Sequence, residues 1–521
     1  MNGAVRAPDL HPGGAPRGRW TLRAELACAA ALGAAQTLAF VWTAAWPLQL
    51  LCVVALVWRV DRQTPLRAAG LGLVFGTSWL GTGTWWLFVS LHIYGGLPAW
   101  LAVLSVALLS ASLSLYLALA MATFVALRRG RRVADAALFA ALWLLAELAR
   151  GVFFTGFPWI ASGYAHVDSP LAGFAPWLGV YGLGAAGAGL AAWVALQPRQ
   201  DAAGWLRTAL GVVGTLALGL GLQTIAFTEP SARLGVTLLQ GNVPQDEKFA
   251  IERLPETLAW TRERLLEARS DLVIAPETVI PLLPDQLDPN YWQPLLQHFQ
   301  NGAQAALIGL PLGNEATGYT NSAAGISSRT AALDGGYYRY DKHHLVPFGE
   351  FVPFGFRWFT RMMNIPLGDF NRGPLAAASF AVRSERVAPN ICYEDLFGEE
   401  LATRFIDAAA APTMFANISN IAWFGRTIAI DQHLQISRMR TLEFERPMLR
   451  ATNTGATAVI DHRGRVSAAL APHTQGVLDA VVEGRVGLTP FARWAGHLGL
   501  WPAWLLALGV VALAFRQRPR P

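Results

Sequence analysis

The chain is 521 residues long, carries a formal net charge of +6, and is 53% hydrophobic but only 15% charged. Soluble globular proteins carry about 25% charged residues, and the mean hydropathy here is +0.34, so a wholly water-soluble fold is excluded. A pI of about 9.5 invites a nucleic-acid partner, but arginines in short loops between apolar segments account for the excess, so that class is set aside.

After a Gly- and Pro-rich tail, Leu26–Trp58 contains no Asp, Glu, Lys or Arg. The same is true of Ala68–Leu91, Leu97–Leu127, Leu171–Leu196, Thr208–Phe227 and Leu498–Phe515. Each run reaches or exceeds the ~18–20 apolar residues that cross a hydrocarbon core. The first is too long for one span and holds Pro47, so it divides in two near Trp42–Trp46. Val133–Ala149 is a weaker span, with Asp135 and Glu147 placed where they reach an interface or the bundle interior. The expectation is eight transmembrane helices, seven before residue 228 and one at the C-terminus. Trp85, Trp86 and Trp159 are expected to mark the membrane interface.

Arginines cluster before helix 1 (Arg6, Arg17, Arg19, Arg23) and between helices 2 and 3 (Arg59, Arg62, Arg67). They recur between helices 4 and 5 (Arg128, Arg129, Arg131, Arg132), between 6 and 7 (Arg199, Arg207), and after the last (Arg516, Arg518, Arg520). The alternate loops, such as His92–Gly96, are nearly free of cations. Positive loops stay inside, so both termini are expected in the cytoplasm and Thr228 to about Arg493 outside. No cleavable-signal pattern precedes helix 1, which is expected to remain as an anchor. The expected organisation is a cytoplasmic tail (1–22), seven helices (23–227), an extracytoplasmic domain (228–490), and a last helix with a basic tail (491–521).

Within the exported domain the periodicity changes. Leu234–Leu239, Leu272–Ala275, Ala305–Ile308, Ser379–Val382, Val387–Ile391, Thr413–Asn417 and Ala456–Ile460 read as strands, with helices over Glu256–Ala268 and Ile428–Glu445. That alternation predicts one α/β domain. Cys28 and Cys52 fall in membrane spans, which leaves Cys392 without a disulfide partner outside. It is either a small buried hydrophobe or a reactive thiol.

Three stretches place polar residues just past apolar strands, where α/β sheets commonly expose functional groups. They are Ile274-Ala-Pro-Glu277-Thr, Tyr340-Asp-Lys342-His-His344-Leu-Val-Pro-Phe-Gly-Glu350, and Asn390-Ile-Cys392-Tyr393-Glu394-Asp395. Singly, each has a bland reading: a capping Glu, a solvated Lys, a packed Cys. Together they form a sufficient acyl-transfer set. A carboxylate takes the thiol proton, the thiolate attacks, and a lysine steadies thiolate and oxyanion, with no metal or cofactor.

The order Glu277, Lys342, Cys392 and the phrases around them resemble the nitrilase superfamily, and the longer phrases resemble its membrane branch, the apolipoprotein N-acyltransferases. Further matches are Thr155-Gly-Phe-Pro-Trp159, Gln240-Gly-Asn-Val-Pro-Gln245, Trp423-Phe-Gly425, Arg438-Met-Arg440, Arg446-Pro447 and Gly487-Leu-Thr-Pro490. The resemblance implies a nitrilase-like αββα sandwich on a polytopic helical bundle, in the cell inner membrane with its catalytic domain in the periplasm. It implies a two-step reaction in which Cys392 takes the sn-1 acyl chain of a phospholipid such as phosphatidylethanolamine. The acceptor is then the α-amino group of an apolipoprotein's S-diacylglyceryl cysteine.

By position, Glu277 matches the family's general base, Lys342 its oxyanion lysine, and Glu350 its second glutamate, while Tyr393 and Glu394 follow the cysteine as in the family. Trp423 and Phe424 match an aromatic pair near the acyl site, or are core aromatics. Glu443 matches a helix glutamate that holds the lysine region or pairs with Arg440 or Arg446, the structural role being favoured. His344 is read as a packed, hydrogen-bonded imidazole, since the reaction does not need it as a base.

Two positions depart from the pattern. Ile421 stands where the family has an acid, and Phe249 stands where a mobile-loop tryptophan is expected. The rival readings are a membrane-tethered amidase that hydrolyses small amides through the same thioester, and a non-catalytic membrane scaffold or transporter.

Overall fold

The computed structural model describes residues 21–198, 201–353, 355 and 369–517, so Arg6, Arg17, Arg19, Arg199, Arg518 and Arg520 lie outside the described residues. Helices stand at every place the apolar runs marked. They are α1 (Leu22–Gln36), α2 (Trp46–Val60), α3 (Pro65–Gly83), α4 (Ala99–Leu127), α5 (Arg132–Val152), α6 (Ala175–Ala195) and α7 (Ala202–Leu222). The first run does break, through short 3-10 turns at Thr37–Phe40 and Thr43–Ala45.

Among the described residues, five segments are by themselves long and apolar enough to cross a membrane: Thr43–Val60, Ala99–Leu127, Arg132–Thr155, Pro170–Ala195 and Ala202–Leu222. The count falls short of eight for physical reasons. The α1 helix has only 15 residues, and α3 is diluted by Gly, Ser and Thr. Those small residues serve packing instead: a Cβ on Gly33 would collide with the Phe75 carbonyl, and one on Gly76 with Ser114. The charges of α5 turn inward. Glu147 accepts from the Ser162 N–H and hydroxyl, both at 2.7 Å, and pairs with Arg150.

Among the described residues, those from Thr228 onward build two six-stranded sheets. One is made of β1 (Thr228–Gln240), β2 (Leu272–Ile274), β3 (Ala305–Asn314), β4 (Gly318–Ile326), β5 (Tyr338–Asp341) and β12 (Gly476–Gly487), in the order β12-β1-β2-β3-β4-β5. The other is made of β6 (Phe380–Val382), β7 (Glu385–Ile391), β8 (Met414–Ser419), β9 (Met448–Thr452), β10 (Ala458–Ile460) and β11 (Val466–Ala469), in the order β11-β10-β9-β8-β7-β6. Their facing side chains, among them Leu234, Val236 and Leu238 on one sheet and Ile391, Met414 and Ile418 on the other, close one apolar core.

Helices cover the outer faces, giving the expected αββα layering. On the first sheet lie α8 (Leu254–Glu267) and α9 (Pro289–Asn301), whose Leu265, Leu295 and Phe299 pack on Val273 and Ile308. On the second lie α10 (Gly398–Ala402), α11 (Ala429–Phe444) and α12 (Pro490–Leu498), through Leu401, Phe444 and Phe491. The chain then turns by 88° into α13 (Trp501–Arg516), and this bent pair makes a sixth crossing if it counts as one span.

The outer helices of the second sheet rest on the bundle. Gln432 of α11 accepts from the indole N–H of both Trp86 (3.0 Å) and Trp159 (2.8 Å) and donates to the Gly83 carbonyl. Trp85 is exposed, but Trp86 and Trp159 are buried in this seam, which corrects the interfacial reading for those two. Asp168, before α6, pairs with Arg438, and Trp494 donates to the Trp177 carbonyl at 2.9 Å.

Gln432→Ala leaves the buried Trp159 N–H without an acceptor and Trp86 with only the Gly83 carbonyl. An unsatisfied buried group costs about 1–3 kcal/mol. The variant is expected to unfold at a lower temperature than the parent in the same detergent, measured by intrinsic tryptophan fluorescence.

Candidate active site

Parallel pairing of β1, β2 and β3, and of β7, β8 and β9, brings several strand ends to one edge of the sandwich. Glu277 follows β2, Lys342 follows β5, and Cys392 follows β7. The two sheets thus deliver the three groups from opposite sides of the core.

Lys342 is fully buried between two carboxylates. Its Nζ lies 2.9 Å from Glu350 Oε1 and 3.5 Å from Glu277 Oε1. Asn321 of β4 ties the same two acids together, its Nδ2 donating to Glu277 at 2.7 Å and to Glu350 at 2.6 Å. The other Glu277 oxygen accepts from the Asn420 N–H at 2.7 Å, and the other Glu350 oxygen from the Val346 N–H at 2.8 Å. Both acids are therefore fixed in orientation before any substrate arrives.

Cys392 takes a left-handed backbone, φ 52°, which a residue with a Cβ adopts at a cost of roughly 1–3 kcal/mol. The surroundings hold it there. Its carbonyl accepts from Asn417 Nδ2 at 3.2 Å and lies 3.2 Å from His433 Nε2. His433 in turn meets Asp395, and Arg450 reaches both Asp395 and Ser437. Glu394 accepts from the N–H groups of Ile391, His343 and His344 and from the Tyr340 hydroxyl, which staples the cysteine loop to the lysine loop.

The charges around the thiol set its chemistry. Burial pushes the Cys392 thiol up to about 12, and the Glu277 carboxylate adds to this, while Lys342 and the Ser419 hydroxyl oppose it. Burial also raises the Glu277 carboxyl, but Lys342, Lys248 and the bonds from Asn321 and Asn420 outweigh it and hold the group below its usual range. Burial lowers Lys342, and Glu350 and Glu277 more than reverse that, so it stays protonated. The resting state is carboxylate, ammonium and thiol. Such a set can support attack by sulfur in which a carboxylate takes the thiol proton and an ammonium balances the developing negative charge.

The remaining expected residues have distinct places. The Tyr393 hydroxyl donates to the Gly156 carbonyl of the bundle at 3.0 Å. Trp423 and Phe424 are half-buried on the seam, Phe424 4.2 Å from the Trp86 ring and Trp423 edge-on to Tyr94. Glu443 pairs with Arg440 at 2.9 Å and accepts from the Val180 N–H, the structural one of its two readings. His344 is packed face to face on Phe397, with Nδ1 2.9 Å from Glu400. Phe249 is exposed on the loop after β1. Ile421, in the acid's place, is buried in the apolar cluster between sandwich and bundle, where a carboxylate would be poorly solvated. Among the described residues no group of three or more His, Cys, Asp or Glu has a metal-binding arrangement.

Nothing in the local sequence marks Asn321, Asn420, Lys248, Asn417 or His433 for a role in this site. Asn321 lies in β4, Gly-Tyr-Thr-Asn-Ser-Ala-Ala-Gly-Ile, whose small polar residues carry no strand pattern. Lys248, three residues after Gln240–Gln245, is a buried lysine that donates to the Glu277 carbonyl at 3.0 Å.

Two family models match the chain. Residues 32–194 match the apolipoprotein N-acyltransferase N-terminal domain, and residues 236–491 match carbon-nitrogen hydrolase. A relative named apolipoprotein N-acyltransferase from Verminephrobacter eiseniae is 53% identical, covering 92% of this chain and 93% of its own. One of the same name from Ralstonia nicotianae is 47% identical over 95% and 94%, and one from Bordetella bronchiseptica 42% identical over 97% and 99%.

Iodoacetamide is expected to alkylate Cys392 slowly at pH 8, because a thiol pushed up to about 12 holds little thiolate there. Lys342→Met removes the charge that draws the thiol down, so its alkylation should be slower again, by roughly tenfold or more. Equal rates for parent and variant, read by peptide mass spectrometry, would remove Lys342 from the account of the thiol.

Proposed function

Since the chain belongs to the apolipoprotein N-acyltransferase family, we propose that it N-acylates lipoproteins by a ping-pong reaction through a thioester on Cys392. The observation that carries the mechanism is the buried Glu277–Lys342–Glu350 cluster facing a strained, half-buried Cys392. In the first step Cys392 sulfur attacks the sn-1 ester carbonyl of a phospholipid such as phosphatidylethanolamine, and Glu277 takes the thiol proton. Lys342 balances the oxyanion. Collapse breaks the ester C–O bond, and the leaving lysophospholipid oxygen takes the proton from Glu277. In the second step the α-amine of an S-diacylglyceryl cysteine attacks the thioester, passes a proton to Glu277, and the thiolate leaves and is reprotonated.

In this reading Glu350 holds Lys342 in place, Glu394 fixes the two loops together, and Tyr393 ties the nucleophile's loop to the bundle. Trp423, Phe424 and Phe249 offer apolar surface to the acyl chain. The protein sits in the inner membrane with the sandwich on its periplasmic side. Cation-rich helix ends support that orientation: Arg59, Arg62, Arg128, Arg129 and Arg132 stand where α2, α4 and α5 meet their short loops. The opposite end of α5 leads into Gly156–Trp159 and the sandwich. Both substrates are lipid-anchored, which accords with a site joined to the bundle rather than standing free of it.

Purified enzyme incubated with phosphatidylethanolamine is expected to gain one acyl mass on Cys392, and a diacylglyceryl-cysteine peptide should discharge it. Cys392→Ala should give neither adduct nor acylated peptide. Discharge by water as fast as by the peptide would favour an amidase instead.

A further inference from the structure

We propose that Lys248 is a positioning residue of this reaction, anchoring the backbone of Glu277 from the loop after β1 and, with Lys342, keeping that carboxylate ionised. The proposal rests on the acyltransferase reading above. Across residues 244–253 only Gln245 and Lys248 are buried; Lys248 meets Glu277 directly and Gln245 meets Asn420, which in turn donates to Glu277. Lys248 Nζ donates to the Glu277 carbonyl at 3.0 Å. Gln245 Oε1 accepts from Asn420 Nδ2 at 2.9 Å, and the Asn420 N–H is the donor to the Glu277 carboxylate. Lys248 and Glu277 also line one small cavity with Val243, Thr257 and Asn453.

A carbonyl staple alone does not require a cation. A buried ammonium is costly unless charge nearby offsets it. Here the offset is collective: Glu277 and Glu350 contribute two negative charges and Lys342 one positive, so Lys248 brings the cluster to neutrality while Cys392 remains a thiol. Burial draws Lys248 down to about 8, with Glu277 and Cys392 acting in the opposite direction. The groups facing Glu277 are therefore Lys248, Lys342 and Cys392, with Glu350 reached through Asn321. Removing the Lys248 charge lets the Glu277 carboxyl rise, so less of it is ionised on the acid side.

The test is the pH profile of kcat/KM for acyl transfer by the full-length enzyme. Lys248→Met and Lys248→Gln are expected to move the acid limb upward by roughly one unit, the low end of what one opposite charge does. Lys248→Gln keeps a donor for the carbonyl without the charge, so it carries the readout if Lys248→Met does not fold. Lys248→Arg, which stays charged, should return the limb to the parent's position. A uniform loss of rate with an unmoved limb in Lys248→Gln would overturn the proposal and leave only a loop staple. Failure of the parent to form the Cys392 adduct would instead overturn the acyltransferase mechanism, so the two failures are told apart by intact mass.

Discussion

Lys342 is an ammonium with almost no access to water, and it persists because two carboxylates face it and Asn321 locks them to one another. Removing either acid would leave an uncompensated charge in a low-dielectric site, a far larger penalty than losing a surface ion pair. The sandwich around it is arranged accordingly. Glu277 and Lys342 come from one sheet and Cys392 from the other, so the cluster assembles only when the two sheets pack. The geometry of the cluster and the packing of the core are here one constraint.

The same arrangement keeps Cys392 a thiol at rest. An acid held below its usual range is a weak base, and a thiol pushed up to about 12 is a weak acid. Proton transfer between them is therefore unfavourable in the resting site. Water entering the site meets a thiol and not a preformed thiolate.

The bundle is more than an anchor for this site. Phe424, Trp86, Trp159 and His433 form a continuous series of ring contacts from the membrane helices to the Cys392 carbonyl. Gln432 and Tyr393 add hydrogen bonds across the same seam. Trp86 and Trp159 looked like interfacial residues because large amphipathic rings at helix ends ordinarily meet headgroups. Their indole N–H groups found an acceptor on α11 instead, a partner more than 270 positions away in the chain.

How much was legible follows from how far each feature reaches along the chain. Apolar runs and arginine loops depend on local composition, so the helices and the break near Trp42–Trp46 could be read directly, as could the placement of Glu277, Lys342 and Cys392 after strands. Span length is also local, but α1 and α3 trade apolar length for close packing, which composition alone does not reveal. Strand β4 hid in small polar residues and took Asn321 with it. Lys248, Asn420 and His433 acquire roles only through neighbours distant in sequence. The sequence by itself determined which residue types the reaction has at its disposal and that lipid surrounds part of the chain. Tertiary structure alone decided which of them share a buried field, because burial and charge pairing are properties of neighbours in space.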